Sequence, residues 1–388
     1  MWNSFDAVIV GAGLAGSVCA RQLAEADKKV LVIEKKNHLA GHCYDYLSEK
    51  GIYVHKYGPH IFHTDDEAAW RFASRFTDWH FYHHEVLGLV DGKRVPIPFN
   101  LNSMEKLFSP AMFARIGEKL IDTFGFGSRV PILKLREHKD PDLQFVAEYV
   151  YEKVFLQYTM KQWGKSPEEI DPSVSGRVPV VISRDNRYFH DRFQGIPEQG
   201  YTAMVERMLD HRNIQLMLQT DALEHLSIED EKILISGKSY AGMVIYTGMP
   251  DELFQFAYGK LPYRSLELVF EEHGQDYYQE NALVNYPGNY EFTRITEYKY
   301  FQRNHRSIRG TIISREHPEE YVRGVNQPYY IEKTEEAEAM ATEYRRAAEG
   351  IPNLHLAGRL AEYRYYDMDE VIGAGMRMVN RIERVMQH

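Results

Sequence analysis

Cysteine is scarce. Cys19 and Cys43 are the only two in 388 residues, too few for a disulfide framework, and their spacing matches no zinc pattern. Both read as small packed side chains in a reducing compartment. No apolar run approaches the ~18–20 residues that cross a bilayer, and mean hydropathy is -0.47, so membrane insertion is not expected. The opening Met1-Trp2-Asn3-Ser4-Phe5-Asp6 lacks the basic flank and apolar stretch of a secretion signal, and a cytoplasmic location is the expectation. Positive charge is short as well. Lys and Arg number 46 against 56 Asp and Glu, a net charge of -10, which disfavours nucleic acid or an anionic membrane as a general partner. No internal repeat or low-complexity segment occurs.

What is present is a balance of 44% apolar and 26% charged residues, the composition of a soluble chain able to bury a sizeable core. Ordinary domains run to ~100–150 residues, so two or three subdomains are expected. Tyrosine stands out, with 27 against 19 Phe and 4 Trp. A phenol is costly in a dry core unless its hydroxyl finds a partner, so the surplus suggests a polar cleft walled by aromatic rings.

The clearest element comes first. Ala7-Val8-Ile9-Val10 is a short apolar run of the kind covered on both faces of a parallel sheet. Gly11-Ala12-Gly13-Leu14-Ala15-Gly16 follows, Ser17 to Ala26 reads as a helix, and Val30-Leu31-Val32-Ile33 reads as a second buried strand ending in Glu34. Glu34 stands 23 positions after Gly11, completing the strand–turn–helix–strand–acid set that a dinucleotide-binding turn requires. Gly11 permits the tight turn, Gly13 the approach of a diphosphate, and Gly16 close packing of helix on strand. The diphosphate would rest on free N–H groups at the helix start. Glu34 can accept from both ribose hydroxyls and would repel a 2′-phosphate.

The next segment argues for a flavin over a nicotinamide. Lys35 to His42 is a polar loop containing Gly41 and leading to Tyr44-Asp45-Tyr46, and many FAD proteins carry such a loop after the ribose-binding acid. Near the other end, Asn353 to Arg359 reads as a strand with a Gly turn. Met368 to Met386 reads as a final helix whose N-terminus would favour negative charge on a reduced flavin ring. The fold class expected is α/β: a Rossmann-like FAD-binding domain built from discontinuous segments, with a helical insertion and an antiparallel β-sheet domain. The FAD-binding domain takes residues 1–80, 195–253 and 338–388, and the helical insertion takes 101–172. The sheet and substrate domain takes 81–100, 173–194 and 254–337, with a mobile loop near 165–180. Helices are read over Met104–Phe108, Pro110–Phe124 and Leu143–Phe155.

Other constellations stay open on the residues alone. His60 and His63 in Tyr57–Thr64 are three apart, but no carboxylate or thiol completes a metal site. A histidine presented to a flavin face, or simply structural histidines, fits better, and no metal is expected. Tyr158 and Trp163 in Tyr158-Thr159-Met160-Lys161-Gln162-Trp163-Gly164 end the helical insert, either as packing for a helix end or as a stacking platform for a nucleobase. Arg177 taken alone is a solvated surface charge. Arg294 lies in an alternating strand with Glu297 as a candidate partner, and Arg264 sits similarly. With Tyr188, Arg192, Tyr329, Tyr330, Arg359, Tyr365 and Asp367, these groups would suit a phosphate-rich ligand, because the arginine fork pairs bidentately with phosphate.

Taken together, G-A-G-L-A-G, Y-G-P-H-I-F-H-T, Y-T-x-K-Q-W-G, F-Q-G-x-P-x-x-G-Y-T, F-T-R-I-T-E-x-K-Y-F and G-R-L-x-x-Y-R-Y-x-D-M run in order along nearly the whole chain. The set resembles the prokaryotic, FAD-dependent UDP-galactopyranose mutase family. The resemblance implies an isomerase that interconverts UDP-galactopyranose and UDP-galactofuranose with no net redox change. N5 of the reduced FAD would be the covalent nucleophile at the anomeric carbon, and NAD(P)H is a candidate external reductant. A cytosolic homodimer serving cell-wall and polysaccharide biosynthesis is implied too.

By the same resemblance, Arg177 (on a mobile loop) and Arg294 hold the diphosphate, and Tyr158, Thr159 and Trp163 lie on the uridine side. Tyr188, Tyr329 and Tyr365 donate to phosphate, and Arg264 and Asp367 are further substrate positions. The cofactor side comprises Gly11, Gly13, Leu14, Ala15, Gly16, Glu34, Lys35, Gly41, His42, His60, Ile61, Arg359, Tyr365, Asp367 and Met368. His60, Arg177 and Arg294 carry the catalytic assignment. His83-His84-Glu85 departs from the family pattern, which often has Asn in this segment, and puts the sugar-side contacts there in question. Two rival readings are an FAD-dependent oxidoreductase of amine-oxidase type and a non-catalytic escort-type protein of the same wider fold.

Overall fold

Ala7–Val10 and Val30–Ile33 are buried on nearly every residue, which is what places them inside a sheet covered on both faces. The computed structural model describes residues 2–164, 166 and 179–386. Arg177 and most of the loop expected to be mobile near 165–180 lie outside the described residues, as does the side chain of Trp163. The two strands sit in a five-stranded sheet ordered Ile214–Met217, Val30–Ile33, Ala7–Val10, Met243–Tyr246, Leu354–Leu356. Every pairing in it is parallel. The helix after the glycine turn, Leu14–Glu25, begins three residues before the expected Ser17, because Gly13 is already the extended cap residue. It packs against the final helix, Met368–Met386, which falls on the expected residues. A Cβ on Gly375 would stand 3.1 Å from Val18, so the two helices meet closely.

A second sheet has seven strands, ordered Tyr330–Ile331, Tyr263–His273, Thr311–Glu320, Arg294–Glu297, Leu283–Asn285, Val86–Val90, Lys93–Ile97. It is antiparallel apart from one pair, Leu283–Asn285 with Val86–Val90. That hairpin reaches the sheet from far upstream and docks with its first strand parallel.

Against the hairpin 86–97 of this second sheet lie the helices Leu101–Leu107, Pro110–Phe124 and Pro141–Val150. Asn100, Ser109 and Asp140 cap them by accepting from backbone N–H groups, and Pro110 and Pro141 occupy first-turn positions where no N–H is needed. Val95 and Phe99 share a core with Ile116, Leu120, Val146 and Val150. The third helix does not stop near Phe155. It continues through a π-turn at Tyr151–Leu156 into Gln157–Trp163. One extra residue per turn is tolerated there, and the result is a single face carrying Val154, Phe155, Tyr158, Thr159 and Gln162. Gly164, with φ +66, ends the helix by donating to the Met160 carbonyl at 2.7 Å. Among the described residues no helix is long and apolar enough to cross a membrane.

Candidate active site

Two glycines of the first turn are required by contact. A Cβ on Gly11 (φ +104) would stand 2.0 Å from Thr247 Oγ1, and one on Gly16 would stand 2.0 Å from the Gly11 carbonyl oxygen. The loop after Glu34 folds back onto this turn: a Cβ on Gly41 would lie 3.0 Å from Gly13 Cα. Glu34 is 6% exposed. Its Oε2 accepts from the Ala12 N–H and its Oε1 from the Lys36 N–H, both at 2.9 Å. A carboxylate oxygen has a second lone pair, so both remain able to accept from ribose hydroxyls.

These residues begin a groove of about 250 Å³. Gly11, Gly13, Leu14, Ala15, Glu34, Lys35 and Gly41 line it, while Gly16 stands behind it in the helix packing. One end is formed by Thr220, Asp221, Leu223 and Met249, and the other by His42, His60, Arg359 and Met368. A close-approach turn, a buried acid with free lone pairs and an elongated groove beyond it fit a dinucleotide.

His42, His60, Arg359 and Met368 also line a second, larger cleft, so the two cavities meet at these side chains. His60 Nδ1 lies 2.8 Å from the Gly58 carbonyl, which can only accept, so Nδ1 carries the proton and Nε2 is left as an acceptor. Burial pushes His60 down to about 4 and His42 well below its usual value, and both rings are uncharged at neutral pH. His42 stacks on Tyr329 at 4.9 Å. Arg359 donates to the Tyr366 carbonyl at 2.5 Å from Nη2 and lies 4.9 Å over the Tyr365 ring.

The cleft is walled on one side by the helix face Tyr158, Thr159 and Gln162, and on the other by Asn285, Arg294 and Glu316 of the seven-stranded sheet. Tyr188, Tyr329, Tyr330 and Tyr365 converge on the same space, joined by Ile61 and Asp367. Arg294 donates from Nη2 to the Tyr158 hydroxyl at 3.0 Å. Its Nε lies 3.2 Å from Glu316 Oε1, an ion pair whose angle does not make a hydrogen bond. Burial works to lower the Arg294 pKa, but the Glu316 carboxylate and neighbouring phenols outweigh it and hold the guanidinium firmly charged. Burial pushes the Tyr158 hydroxyl up to about 12, so it stays protonated.

Glu297 is not the partner of Arg294. Residues three apart on a strand face opposite sides of the sheet. Glu297 is fully buried on the far side, accepting from Tyr278 N–H (3.0 Å), Gln279 N–H (2.9 Å) and Thr311 Oγ1 (2.6 Å). Glu316 instead lies directly across from Arg294 in the strand register. Arg264 lines neither cavity. It is 8% exposed, with its guanidinium against Gly164. His63 stacks on Phe189 at 3.6 Å and its Nδ1 is 3.2 Å from Asp191. Among the described residues no three His, Cys, Asp or Glu side chains are gathered as a metal site.

Several cleft residues were not singled out by their sequence. Glu316 and Asn285 become visible only through strand register. Gln162 could have been found as the residue one helical turn beyond Tyr158 and Thr159. Within His83-His84-Glu85 it is His84 that lines the cleft, 3% exposed and pushed down to about 3 by burial.

Fold and site together define a dinucleotide-cofactor protein in which a tyrosine-rich cleft holding Arg294 and Arg359 opens onto one end of the cofactor groove. Residues 153–365 match the family model for UDP-galactopyranose mutase, and residues 9–76 match that of an NAD(P)-binding Rossmann-like domain. The chain is 34% identical to the UDP-galactopyranose mutase of Mycoplasma pneumoniae (strain ATCC 29342 / M129 / Subtype 1), over 98% of this chain and 97% of that one. It is also 34% identical to the dTDP-fucopyranose mutase of Escherichia coli, over 94% and 95%. A crystal structure of reduced UDP-galactopyranose mutase shares its fold, with a TM-score of 0.72 at 15% identity, covering 98% of this chain and 94% of that one. The chain belongs to the UDP-galactopyranose mutase family, a family of isomerases.

Proposed function

We propose that this chain interconverts UDP-galactopyranose and UDP-galactofuranose with reduced FAD as its resident cofactor. The observation that carries this reading is the junction of the two cavities. A groove suited to a dinucleotide ends at His42, His60, Arg359 and Met368, and there meets a cleft holding a buried, fully charged Arg294 among convergent phenols. Reduced FAD, when bound, supplies a nucleophilic N5 for the anomeric carbon. No activated Ser, Cys or Asp is then needed among the protein's own groups.

The chain's residues do the rest. Arg294 pairs with the substrate diphosphate, and Arg177, which lies outside the described residues, is read as its counterpart by the family resemblance. Tyr188, Tyr329 and Tyr365 donate hydroxyls to the same oxygens, and Tyr158 keeps the Arg294 fork aimed. Thr159 and Trp163 serve the uridine side, Asp367 the cofactor-facing end of the cleft, and Arg264 stands behind the helix end. His60, neutral and with Nε2 free to accept, faces the cofactor ring. The buried aromatic surroundings of Tyr158 and Tyr330 limit water around an activated sugar. The chain divides into a FAD-binding part (1–80, 195–253, 338–388), a helical insertion (101–172) and a sheet part (81–100, 173–194, 254–337). NAD(P)H as reductant, a homodimer and a cytoplasmic setting for polysaccharide synthesis complete the reading.

A second substrate is favoured by one observation: the Escherichia coli relative named for dTDP-fucopyranose is as similar as the Mycoplasma one. Both substrates carry a nucleoside diphosphate, which the Arg294 cleft suits equally. An amine oxidase or a non-catalytic escort has no use for a charged guanidinium at that place. The test is purified protein with bound flavin, assayed oxidised and after chemical reduction, on UDP-galactofuranose and on the dTDP-6-deoxyhexofuranose. Turnover of UDP-galactofuranose by the reduced form alone is expected. No turnover of it after confirmed reduction would refute the reading, and turnover of the dTDP-sugar in its place would reassign the substrate.

A further inference from the structure

The motif Tyr158–Gly164 holds one cationic side chain that the cleft does not use. Lys161 turns its ammonium away from the ligand space and donates to three backbone carbonyls: Tyr286 at 2.5 Å, Gly288 at 2.8 Å and Phe292 at 3.2 Å. An ammonium has three protons, and these acceptors, all from one loop, account for them. No carboxylate is among the partners, so burial goes uncompensated and pushes the Lys161 pKa down to about 8. Surface lysines ordinarily extend into water or pair with an acid, and this one does neither.

The loop it grips joins Leu283–Asn285 to Arg294–Glu297. Asn285 and Arg294, at its two ends, both line the cleft, as does Pro287 within it. On the helix side, Tyr158 lies one turn before Lys161, and its hydroxyl accepts from Arg294. Helix and loop are therefore tied at two points one turn apart, both through an ionised donor, and the lysine makes three hydrogen bonds where Arg294 makes one to Tyr158.

We propose that Lys161 is a positioning residue. By holding the loop 286–292 against the helix Gln157–Trp163, it sets the distance at which Arg294 and Tyr158 face the substrate diphosphate. This inference rests on the proposed function, and the experiment separates the two.

Lys161→Met and Lys161→Arg are made in the full flavin-loaded chain. Flavin content, melting temperature, UDP affinity of the oxidised form, and KM and kcat of the reduced form are then measured. Losing a charge-assisted tie that aims the fork is expected to weaken UDP binding and raise KM about 10-fold. Flavin content should be kept and kcat should stay within about 2-fold. Lys161→Arg, which keeps the charge and several donors, should recover most of that loss. If Lys161→Met does not fold, Lys161→Gln, with two uncharged donors, takes its place under the same readings.

Unchanged UDP affinity and KM in a folded Met or Gln variant would overturn the inference while leaving the proposed function standing. So would a fall in melting temperature in both variants with no recovery of binding by Arg, since that describes a merely structural tie. Wild-type protein that neither binds UDP nor turns over the sugar would overturn the proposed function and this inference together.

Discussion

Removing Arg294 creates two separable defects, because this side chain faces both a ligand space and a buried acid. Glu316 is 2% exposed, and Arg294 is its ion-pair partner at 3.2 Å. Truncating one member of a buried pair leaves the other uncompensated and costs about 3–5 kcal/mol, whereas an amide in place of the carboxylate removes most of that penalty. Arg294→Ala should therefore melt well below wild type, and Arg294→Ala/Glu316→Gln should recover the greater part of the loss. Diphosphate binding should behave differently. A charge-assisted contact is worth about 1.5–3 kcal/mol, or roughly 10- to 100-fold in affinity, and neither variant can restore it. Thermal melts at one scan rate give the order of stabilities, and UDP titration gives the affinities. Flavin content should be the same in all three proteins, since Arg294 lies outside the cofactor groove. A double variant as unstable as the single one would refute the pairing argument. UDP affinity within about threefold of wild type in the single variant would refute the placement of Arg294 on the diphosphate.

Two further perturbations test other parts of the structure. Gly16→Ala would put a methyl 2.0 Å from the Gly11 carbonyl, an overlap that only a shift of turn or helix can relieve; flavin-free protein is expected, and stoichiometric flavin absorbance would contradict the role of this glycine. His55, His60 and His84 are held neutral by burial, pushed down to about 3, 4 and 3 from an ordinary 6.5. With folded values below unfolded ones, the unfolded chain binds more protons as pH falls, so stability present above pH 6.5 is lost progressively towards pH 3. His84→Asn should make that decline shallower by up to one proton, read from denaturation at several pH values, and an unchanged slope would count against a buried neutral His84.

The nucleotide end of the molecule was legible because its constraints are local. A glycine that must avoid Thr247, a glycine that must avoid Gly11, and an acid at the end of the second strand all leave marks within 30 residues of one another. The cleft was legible in residue types but not in pairings. Arg294 stands out in the sequence, but Glu297, the candidate partner nearest in sequence, falls on the opposite face of the strand, and only the register supplies Glu316. The π-turn at Tyr151–Leu156 leaves no mark in the sequence for a related reason: its apolar spacing fits an ordinary α-helix, and nothing local specifies the extra residue. Gln162 and Lys161, in contrast, lie within the Tyr158–Gly164 motif, where helix period alone separates the face each occupies.

The groove is assembled from both ends of the polypeptide: its walls include Val10 and Gly11 at one extreme and Met368 and Val371 at the other, with Tyr246 and Thr247 between. The sheet beneath has the same character, since Ala7–Val10 takes as one neighbour a strand made more than 230 residues later. During synthesis, therefore, the first turn emerges long before its opposite wall exists. Loading of the groove is an event for the finished chain, and until then the exposed edge of Ala7–Val10 is open to pairing with other strands.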